Sequence, residues 1–384
     1  MMDYQLNEQQ IMIRDLCRKI AQEKIAPIAA EYDKTEEFPW PIVKALAQAD
    51  IFGVSIPVEY GGLGGGVLET CIATEELSKA CGGITLCFAA SYLGLDPIIL
   101  FGNEEQKKKY LPDLAAGKKL AAFAITEPAA GSDASGIQTT AKKKGDHYVL
   151  NGTKHFITNG GEADIYVVIA MSDKTKGARG ATAFILEKSM KGFTFGKKED
   201  KLGIRASSTR ELIFTDCEVP KENILGKEGM GFIITMKTFD VSRPGVASQA
   251  LGIAAGALEA ATKYARERIQ FGKPISSFQG IQWMLADMAT EVEAARALIY
   301  ATARMIDAGV KSVSKESAMA KLFASDVAMK VTTDAVQIFG GYGYMKEYPA
   351  EKRMRDAKIT QIYEGTNQIQ RNIIALQLIK EMAK

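Results

Sequence analysis

The chain has 384 residues, of which 47% are hydrophobic and 24% charged, and its 48 basic and 46 acidic residues leave a net charge of +2. These values are typical of a globular protein and exclude a disordered or fibrous chain. Because charges of both signs alternate along the chain, nucleic acid is not expected as a partner. At roughly one to two hundred residues per domain, the length predicts two or three domains.

The cysteines and the apolar runs indicate the cellular compartment of the protein. Five cysteines without a CxxC pair are typical of free thiols in a reducing compartment. The N-terminal segment lacks the basic-then-apolar layout of a signal peptide. The longest uncharged run, Ala80 to Leu95, is shorter than a membrane span and indicates a buried core helix. We therefore expect a cytoplasmic protein that does not bind membranes.

Helical patterning dominates the first block, which we place at residues 1–122. Asn7 followed three residues later by Gln10 indicates a helix start, and the apolar residues after it keep helical spacing until Pro27. Further helices are predicted around residues 41–51, 67–80, 84–101 and 104–116. This block is predicted to be an N-terminal α-helical domain.

The periodicity changes at about Phe123. Two β-like runs, at residues 148–150 and 154–158, flank Asn151-Gly152, a dipeptide typical of a hairpin turn. Short apolar or alternating runs separated by polar turns follow. We therefore predict a middle antiparallel β-domain over residues 123–228.

The last block, residues 229–384, is predicted to be helical again. Apolar residues from Ile281 hold a 3.6-residue period to a helix end near Gly309. A second long helix is stopped by Gly340-Gly341, and a third begins at about Asn367. Long helices packed side by side form a bundle. The predicted order is therefore α-domain, β-domain, α-bundle.

The absence of several sequence motifs excludes some classes of enzyme chemistry. Neither a GxGxxG after a strand nor a GxxxxGK[ST] occurs, so neither a nicotinamide fold nor a P-loop is indicated. Only His147 and His155 are present, which excludes HExxH zinc chemistry and argues against a histidine-based triad. No metal site is expected.

Three local clusters have chemical potential, but each also has a plain structural interpretation. Residues 124–133 form a loop of small and hydroxyl residues that could approach a heterocycle or a phosphate, or simply enter the β-domain. Glu364 precedes the last helix, where a carboxylate is stabilised by the helix N-terminus. Arg268 could clamp a phosphate or be an ordinary surface arginine.

The combination of motifs is more specific than any one of them. In chain order these are ITEPAAGSD at 125–133, FITNGG at 156–161, FDVSRP at 239–244, ERIQFGKPI at 267–275, QIFGGYGY at 337–344 and RDAKITQIYEGTNQIQR at 355–371. Together with EYGGLGG at 59–65 they resemble the acyl-CoA dehydrogenase family, particularly its short- and medium-chain bacterial members. The resemblance covers essentially the whole chain.

The resemblance implies a fold and a cofactor. It implies a homotetramer whose subunits have an N-terminal α-helical domain, a middle β-domain and a C-terminal four-helix bundle. It also implies FAD, bound between domains and partly by a neighbouring subunit.

Particular residues are implied to contact FAD. Thr126 should hydrogen-bond the flavin ring, and Phe156 and Thr158 should lie against it near N5. Phe156 stands where the family often has Trp, which keeps an aromatic face. From the adjacent subunit, the residues expected at the pyrophosphate and adenosine are Arg268, Gln279, Gln337 and Gly341. Other implied cofactor contacts are Phe123, Ile125, Gly131, Ser132, Phe271, Thr366 and Gln368.

The resemblance also implies the chemistry. Glu364 would remove the α-proton of an acyl-CoA thioester, the β-hydride would go to flavin N5, and the product would be the trans-2-enoyl-CoA. Some relatives carry the base where this chain has Ser242, which cannot serve, so Glu364 is the expected base. The implied substrate contacts are Ser132 at the pantetheine, Asp240 and Arg243 near the CoA end, and Tyr363 and Gly365.

The acyl group and the electron acceptor are less determined. Since no second redox motif is present, the resemblance points to electron-transferring flavoprotein as acceptor. A straight short- or medium-chain acyl group is expected, but an alicyclic or aromatic one stays open. The alternatives in other classes are an acyl-CoA oxidase and a non-catalytic flavin scaffold. The residues expected to set the depth of the acyl pocket are Phe88, Ala89, Ser91, Tyr92, Leu93 and Tyr363.

Overall fold

The structure is a computed structural model that describes residues 4–383. Helices occupy the two ends of the chain, and a sheet lies between them. The helices are α1 Glu8–Ile20, α2 Ala29–Thr35, α3 Trp40–Gln48, α4 Val67–Ala80, α5 Gly82–Phe101, α6 Glu104–Ala115, α7 Gly231–Glu267, α8 Gln279–Asp307, α9 Ser314–Phe339, α10 Pro349–Lys358 and α11 Asn367–Met382. The strands of the sheet are β1 Ala121–Ala124, β2 Thr140–Lys144, β3 His147–Thr158, β4 Ile165–Met171, β5 Ala181–Glu187, β6 Phe193–Lys198, β7 Thr209–Pro220 and β8 Ile224–Leu225.

The first helix begins where the sequence predicts. The Asn7 side chain accepts a hydrogen bond from the Gln10 amide at 2.8 Å, and the Gln10 side chain accepts one from the Asn7 amide at 3.0 Å. This reciprocal pair satisfies two amides that the first helical turn would leave without partners. The predicted start of α1 is therefore confirmed.

Helix α5 forms the centre of the N-terminal region. By length and composition it could cross a membrane, but 67% of its most apolar window is buried inside the protein. It packs against α7 and β1, which is the behaviour of the core helix that the uncharged run predicts. Across the described residues, all five cysteines are buried and free.

The start of α4 is completed by a residue far along the chain. The Asp307 carboxylate, at the end of α8, accepts hydrogen bonds from the amides of Val67 at 2.7 Å and Leu68 at 3.0 Å. A Cβ on Gly66 would lie 2.4 Å from that carboxylate, so glycine is needed there. The N-terminal helices and the bundle are thereby joined at one point.

The middle sheet is mixed rather than wholly antiparallel. Within the described chain its strands follow the order β6-β7-β3-β2-β4-β5-β8. Neighbours such as β2 and β3, β3 and β7, and β4 and β5 are antiparallel, as predicted. Strand β1 pairs with β4 in parallel, and β2 meets β4 in parallel at one residue pair. Strand β1 also packs against α5, so the loop that follows it starts beside the helical region.

The predicted hairpin turn at Asn151-Gly152 is wrong. Both residues lie inside β3, at a register shift opposite β7, and the actual β2–β3 turn is Gly145-Asp146. The Asn151 side chain accepts a hydrogen bond from the Asp216 amide at 2.9 Å across this shift. Gly152 has φ 143°, a backbone conformation that favours glycine. A bulge and a turn need the same residue types, so the dipeptide alone cannot separate them.

The C-terminal region is a bundle of α7, α8, α9 and α11. Helix α7 has 37 residues and packs against α4, α5, α8 and α9. It therefore lies between the N-terminal helices and the rest of the bundle. The turn before α11 approaches α7 on the side that faces the sheet.

Candidate active site

One cavity lies where α4, α5, the sheet, α7 and the turn before α11 meet. Its lining comes from all three regions of the chain. The lining residues include Thr74, Ala89, Tyr92, Leu93, Asp96, Phe123, Ile125, Thr126, Phe156, Thr158, Phe239, Ser242, Tyr363 and Glu364. The structure thus brings together the residues expected at the flavin ring and the expected base.

The wall formed by the sheet has an unusual strand. A second register shift in β3, between Lys154 and Ile157, turns the Phe156 ring away from the core. Phe156 has φ 57° and is 60% exposed although it lines the cavity. A large aromatic residue held in a left-handed backbone conformation indicates a functional constraint.

Two hydroxyl groups on this wall are available to a ligand. Within residues 4–383, neither the Thr126 nor the Thr158 side chain makes a hydrogen bond, while the Thr126 carbonyl accepts one from the His155 amide at 2.8 Å. The backbone is therefore fixed, and the side chains are free. Hydroxyl groups beside an exposed aromatic ring suit the polar edge and the flat face of a flavin, so the residues present fit that cofactor.

A buried ion pair holds the loop that carries Thr126. The Lys154 ammonium donates to Glu127 Oε1 at 2.7 Å and to the Ile125 carbonyl at 2.9 Å. Glu127 also accepts hydrogen bonds from the amides of Gln138 at 2.6 Å and Thr139 at 3.0 Å. Burial lowers the pKa of Lys154 to about 8, although Glu127 opposes that shift. This pair could not be predicted, because nothing in the sequence indicates that Lys154 is buried.

Glu364 stands on a strained turn. It has φ 49°, and Gly365 after it has φ 90°. The Glu364 carboxylate accepts a hydrogen bond from the Ser242 hydroxyl of α7 at 2.7 Å. Burial raises the pKa of Glu364, and the Ser242 hydrogen bond and the charges of Arg243 and Lys321 oppose that rise. The carboxyl is thus less acidic than usual yet still stabilised as an anion.

Two buried side chains hold this turn. The Lys321 ammonium, on α9, donates to the Gly365 carbonyl at 2.9 Å and to Asn367 Oδ1 at 3.0 Å. The Gln370 side-chain Nε2 donates to the carbonyls of Glu364 at 3.1 Å and Gly365 at 2.9 Å. Burial lowers the pKa of Lys321 to about 7. Sequence reasoning missed Lys321 and Gln370, since each belongs to an ordinary helical pattern.

Of the expected substrate contacts, Tyr363 lines the cavity, whereas Asp240 and Arg243 do not. Tyr363 lines the cavity, and its hydroxyl donates to Gln249. Asp240 and Arg243 are buried on α7, but neither lines the cavity. Asp240 accepts a hydrogen bond from the Ser314 hydroxyl at 2.7 Å, so it ties α7 to α9.

The far end of the loop at residues 124–133 and the N-terminus of α11 lie apart from the cavity. Gly131 and Ser132 are exposed in the loop that follows Glu127. Thr366 caps α11 through the Ile369 amide at 3.3 Å, and Gln368 is exposed beside it. None of these four expected positions lines the cavity of Glu364, and Thr366 and Gln368 line a separate groove.

The residues expected to act from a neighbouring subunit lie on another face. Arg268 and Gly341 line one open groove, where the Arg268 guanidinium stacks on the Tyr342 ring with its carbon 5.2 Å from the centroid. Gln279 and Gln337 are exposed. Phe271, also expected to contact the cofactor, is 92% exposed with φ 51°.

The α5 wall of the cavity corrects part of the prediction from sequence. Ala89, Tyr92 and Leu93 line it as expected, but Phe88 and Ser91 do not. Phe88 faces the core, where its ring centroid lies 5.8 Å from that of Phe52. The rotation of α5 about its axis decides which of these neighbouring side chains points into the cavity, and the sequence alone does not reveal that rotation. Asp96, which the sequence analysis did not assign to the site, also lines the cavity.

Family models match nearly the whole chain. The N-terminal domain of acyl-CoA dehydrogenase matches residues 7–118, the middle domain residues 122–217 and the C-terminal domain residues 229–379. The chain belongs to the acyl-CoA dehydrogenase family, and it is an FAD-dependent oxidoreductase.

Individual relatives are similar over their full length. The short-chain specific acyl-CoA dehydrogenase of Clostridium acetobutylicum is 52% identical, with 99% of this chain and 100% of the relative covered. The solved butyryl-CoA dehydrogenase of Megasphaera elsdenii has a TM-score of 0.96 and 51% identity, covering 98% of this chain and 100% of that one. A solved chain from a study of the electron transferring flavoprotein of Acidaminococcus fermentans has a TM-score of 0.96 and 57% identity, covering 98% and 99%.

Proposed function

We propose that this enzyme oxidises a short-chain acyl-CoA thioester to the trans-2-enoyl-CoA, with Glu364 as the base. One observation carries the proposal: Glu364 shares a cavity with Thr126, Phe156 and Thr158, the expected flavin contacts. When bound, FAD supplies the acceptor for the β-hydride. The names of the C. acetobutylicum and M. elsdenii relatives support a short acyl chain.

Glu364 is suited to take the α-proton. An α C–H of a thioester is a weak acid, and a base whose pKa lies near the operating pH removes such a proton best. Burial moves the pKa of Glu364 upward in that direction. The 2.7 Å hydrogen bond from Ser242 fixes one carboxylate oxygen, and no hydrogen bond in the described chain uses the other.

The same turn supplies a donor for the thioester oxygen. Within residues 4–383, no hydrogen bond uses the Glu364 amide, so it is available to a ligand. A backbone N–H aimed at the thioester oxygen stabilises the negative charge that develops there when the α-proton leaves. The hydrogen bonds from Lys321 and Gln370 keep this amide in place.

We further propose that the FAD site is completed by a second copy, within a homotetramer. Arg268 and Gly341 line a groove that shares no lining residue with the cavity of Glu364. Their face also exposes large apolar side chains, with Phe271 92% and Trp283 62% exposed. Such a surface is typical of an interface between subunits.

The proposed domains are residues 1–122, 123–228 and 229–384. We propose electron-transferring flavoprotein as the electron acceptor and the cytoplasm as the compartment. The chain's likeness to a structure solved in a study of that flavoprotein supports the first of these, and the buried free thiols support the second. The remaining expected contacts, including Gly131, Ser132, Thr366 and Gln368, keep their proposed roles at the cofactor or substrate.

Anaerobic stopped-flow mixing with an acyl-CoA panel tests this function. We expect butyryl-CoA to bleach the flavin absorbance rapidly and longer, alicyclic and aromatic acyl-CoAs to do so more slowly. The reduced enzyme should then pass electrons to electron-transferring flavoprotein faster than to oxygen. A folded, FAD-containing enzyme that no acyl-CoA bleaches would contradict the proposal, and rapid peroxide production would identify an oxidase instead.

A further inference from the structure

One face of α5 forms a wall of the acyl cavity. Ala89, Leu93 and Asp96 are spaced by four and three residues, so they lie above one another on the same side of the helix. All three line the cavity that holds Glu364. Two of them are apolar, and the third is a carboxyl. An acid in an otherwise apolar stripe requires an explanation.

The Asp96 carboxyl has no partner within the protein. In the described chain it makes neither a hydrogen bond nor an ion pair, and it is only partly buried because it borders the cavity. Burial, with a smaller contribution from the charge of Glu364, raises the pKa of Asp96 to about 8. The carboxyl is therefore mostly neutral at pH 7, with an O–H group to donate.

A second oxygen in the same wall is also without a partner. Thr74, on α4, is fully buried and lines the cavity, and its hydroxyl oxygen makes no hydrogen bond in the described part of the protein. A buried polar group without a hydrogen bond costs about 1–3 kcal/mol of stability. Thr74 is such a group, and the partly buried Asp96 carboxyl borders the same cavity, so a ligand oxygen there could be hydrogen-bonded.

Charge excludes one class of ligand. The described residues that line the cavity include the acids Asp96 and Glu364 but no lysine or arginine. An acyl chain ending in a carboxylate would bring a third acid to this space without a basic partner. A neutral oxygen would instead accept a hydrogen bond from the Asp96 carboxyl without electrostatic repulsion.

We infer that Asp96 is a specificity-determining residue, and that the acyl pocket takes an acyl group with a neutral hydroxyl or carbonyl oxygen beyond the β-carbon. This inference rests on the proposed acyl-CoA oxidation and adds the class of acyl group. Between acyl groups of equal length, such a pocket favours the one with the oxygen, because the methyl counterpart leaves the Asp96 carboxyl unpaired.

Matched pairs of substrates test the inference. Terminal hydroxyl and methyl groups are similar in size, so 4-hydroxybutyryl-CoA is compared with pentanoyl-CoA, and 5-hydroxypentanoyl-CoA with hexanoyl-CoA. The measured quantity is the ratio of flavin-reduction efficiencies, hydroxyl over methyl, in each enzyme. We expect Asp96→Leu to lower this ratio about tenfold for at least one pair, and Asp96→Asn, which keeps a donor, to change it less than about threefold.

The wild-type enzyme gives a second readout if the leucine variant does not fold. It should reduce with the better hydroxyl substrate at least as efficiently as with its methyl partner, whereas an apolar wall would favour the methyl substrate about tenfold. Equal ratios in wild type and Asp96→Leu, or a tenfold methyl preference in wild type, would overturn the inference. If butyryl-CoA bleaches the flavin normally, either result leaves the proposed function standing. If no acyl-CoA bleaches it, the proposed function itself fails.

Discussion

The two parts of the proposed FAD site differ in how far a single chain completes them. Around Glu364, the cavity has walls from all three regions of the chain, and buried charges fix the surrounding backbone. Around Arg268, the residues lie on an open face, where Phe271 is 92% exposed. In the proposed tetramer, the interior part supports chemistry within one subunit, whereas the exterior part depends on a second copy. Substitutions in the interior part should impair chemistry or stability, whereas substitutions in the exterior part should impair FAD binding.

Glu364→Gln should have the largest effect, and it should be confined to chemistry. The amide keeps the size of the side chain and can still meet Ser242, but it cannot accept the α-proton. We expect flavin reduction by butyryl-CoA to slow by about 10²–10⁴-fold. The measurement is anaerobic stopped-flow, with FAD content and acyl-CoA binding as controls that should stay near wild type. Bleaching within tenfold of wild type would place the base elsewhere.

Lys154→Met should destabilise the interior part. Removing the ammonium leaves Glu127 buried with only its two backbone hydrogen bonds, and breaking such a pair costs about 3–5 kcal/mol. We expect a loss near 3 kcal/mol from the free energy of unfolding, measured in urea, because those two hydrogen bonds stay.

Lys143→Met is the matched control, since Lys143 is an exposed lysine on β2. It should change the free energy of unfolding by less than about 0.5 kcal/mol. A similarly small change in Lys154→Met would show that the buried pair does not support the Thr126 loop.

Arg268→Ala should break the exterior part without touching the chemistry. A charge-assisted hydrogen bond to a phosphate contributes about 1.5–3 kcal/mol, so FAD should bind roughly 10–100-fold more weakly. Equilibrium dialysis measures the affinity, and light scattering measures the subunit mass at the same time. Arg266→Ala, at the neighbouring exposed arginine of α7, is the control. Equal FAD affinity in both variants would make Arg268 an ordinary surface residue.

Ser242→Ala should give the smallest change, seen only in the pH dependence. The hydroxyl stabilises the Glu364 carboxylate, so its removal raises the pKa of Glu364 further above its ordinary value. Because the base must be ionised, activity should be lost at a higher pH as the solution is acidified. A lost hydrogen bond of about 1.5 kcal/mol corresponds to roughly one pH unit.

The pH profile of butyryl-CoA turnover measures this shift on its acid side. Thr262→Ala, which removes an exposed hydroxyl elsewhere on α7, should leave the profile in place. An unshifted profile in Ser242→Ala would mean that the 2.7 Å contact does not influence the base.

Sequence reasoning found the groups that are exposed to ligands better than those that support them. Thr126, Phe156 and Glu364 belong to motifs that resemble a family, and the structure gathers them. Lys154, Lys321 and the other buried charges were missed, because a lysine that is buried by its neighbours has the same local pattern as one that points to water. Their burial depends on helices and strands far away in the chain.

The other errors concern the path of a strand or the orientation of a side chain, rather than the residue types that are present. The Asn151-Gly152 dipeptide predicts a turn, but strand β3 continues through it as a bulge. That bulge depends on Asp216 of the neighbouring strand β7. Phe88 and Tyr92 are one turn apart on α5, yet only Tyr92 reaches the cavity. The rotation of a helix that is apolar on all sides is set by its packing, and no periodicity in the sequence reports it.

The cap on α4 has a consequence for synthesis. The amides of Val67 and Leu68 are satisfied by Asp307, which leaves the ribosome some 240 residues later. Until then, the start of a central helix has two open donors and no partner within the nascent chain. The N-terminal region therefore cannot reach its final state before Asp307 has been synthesised, and a chain cut short before residue 307 would leave both amides without this partner.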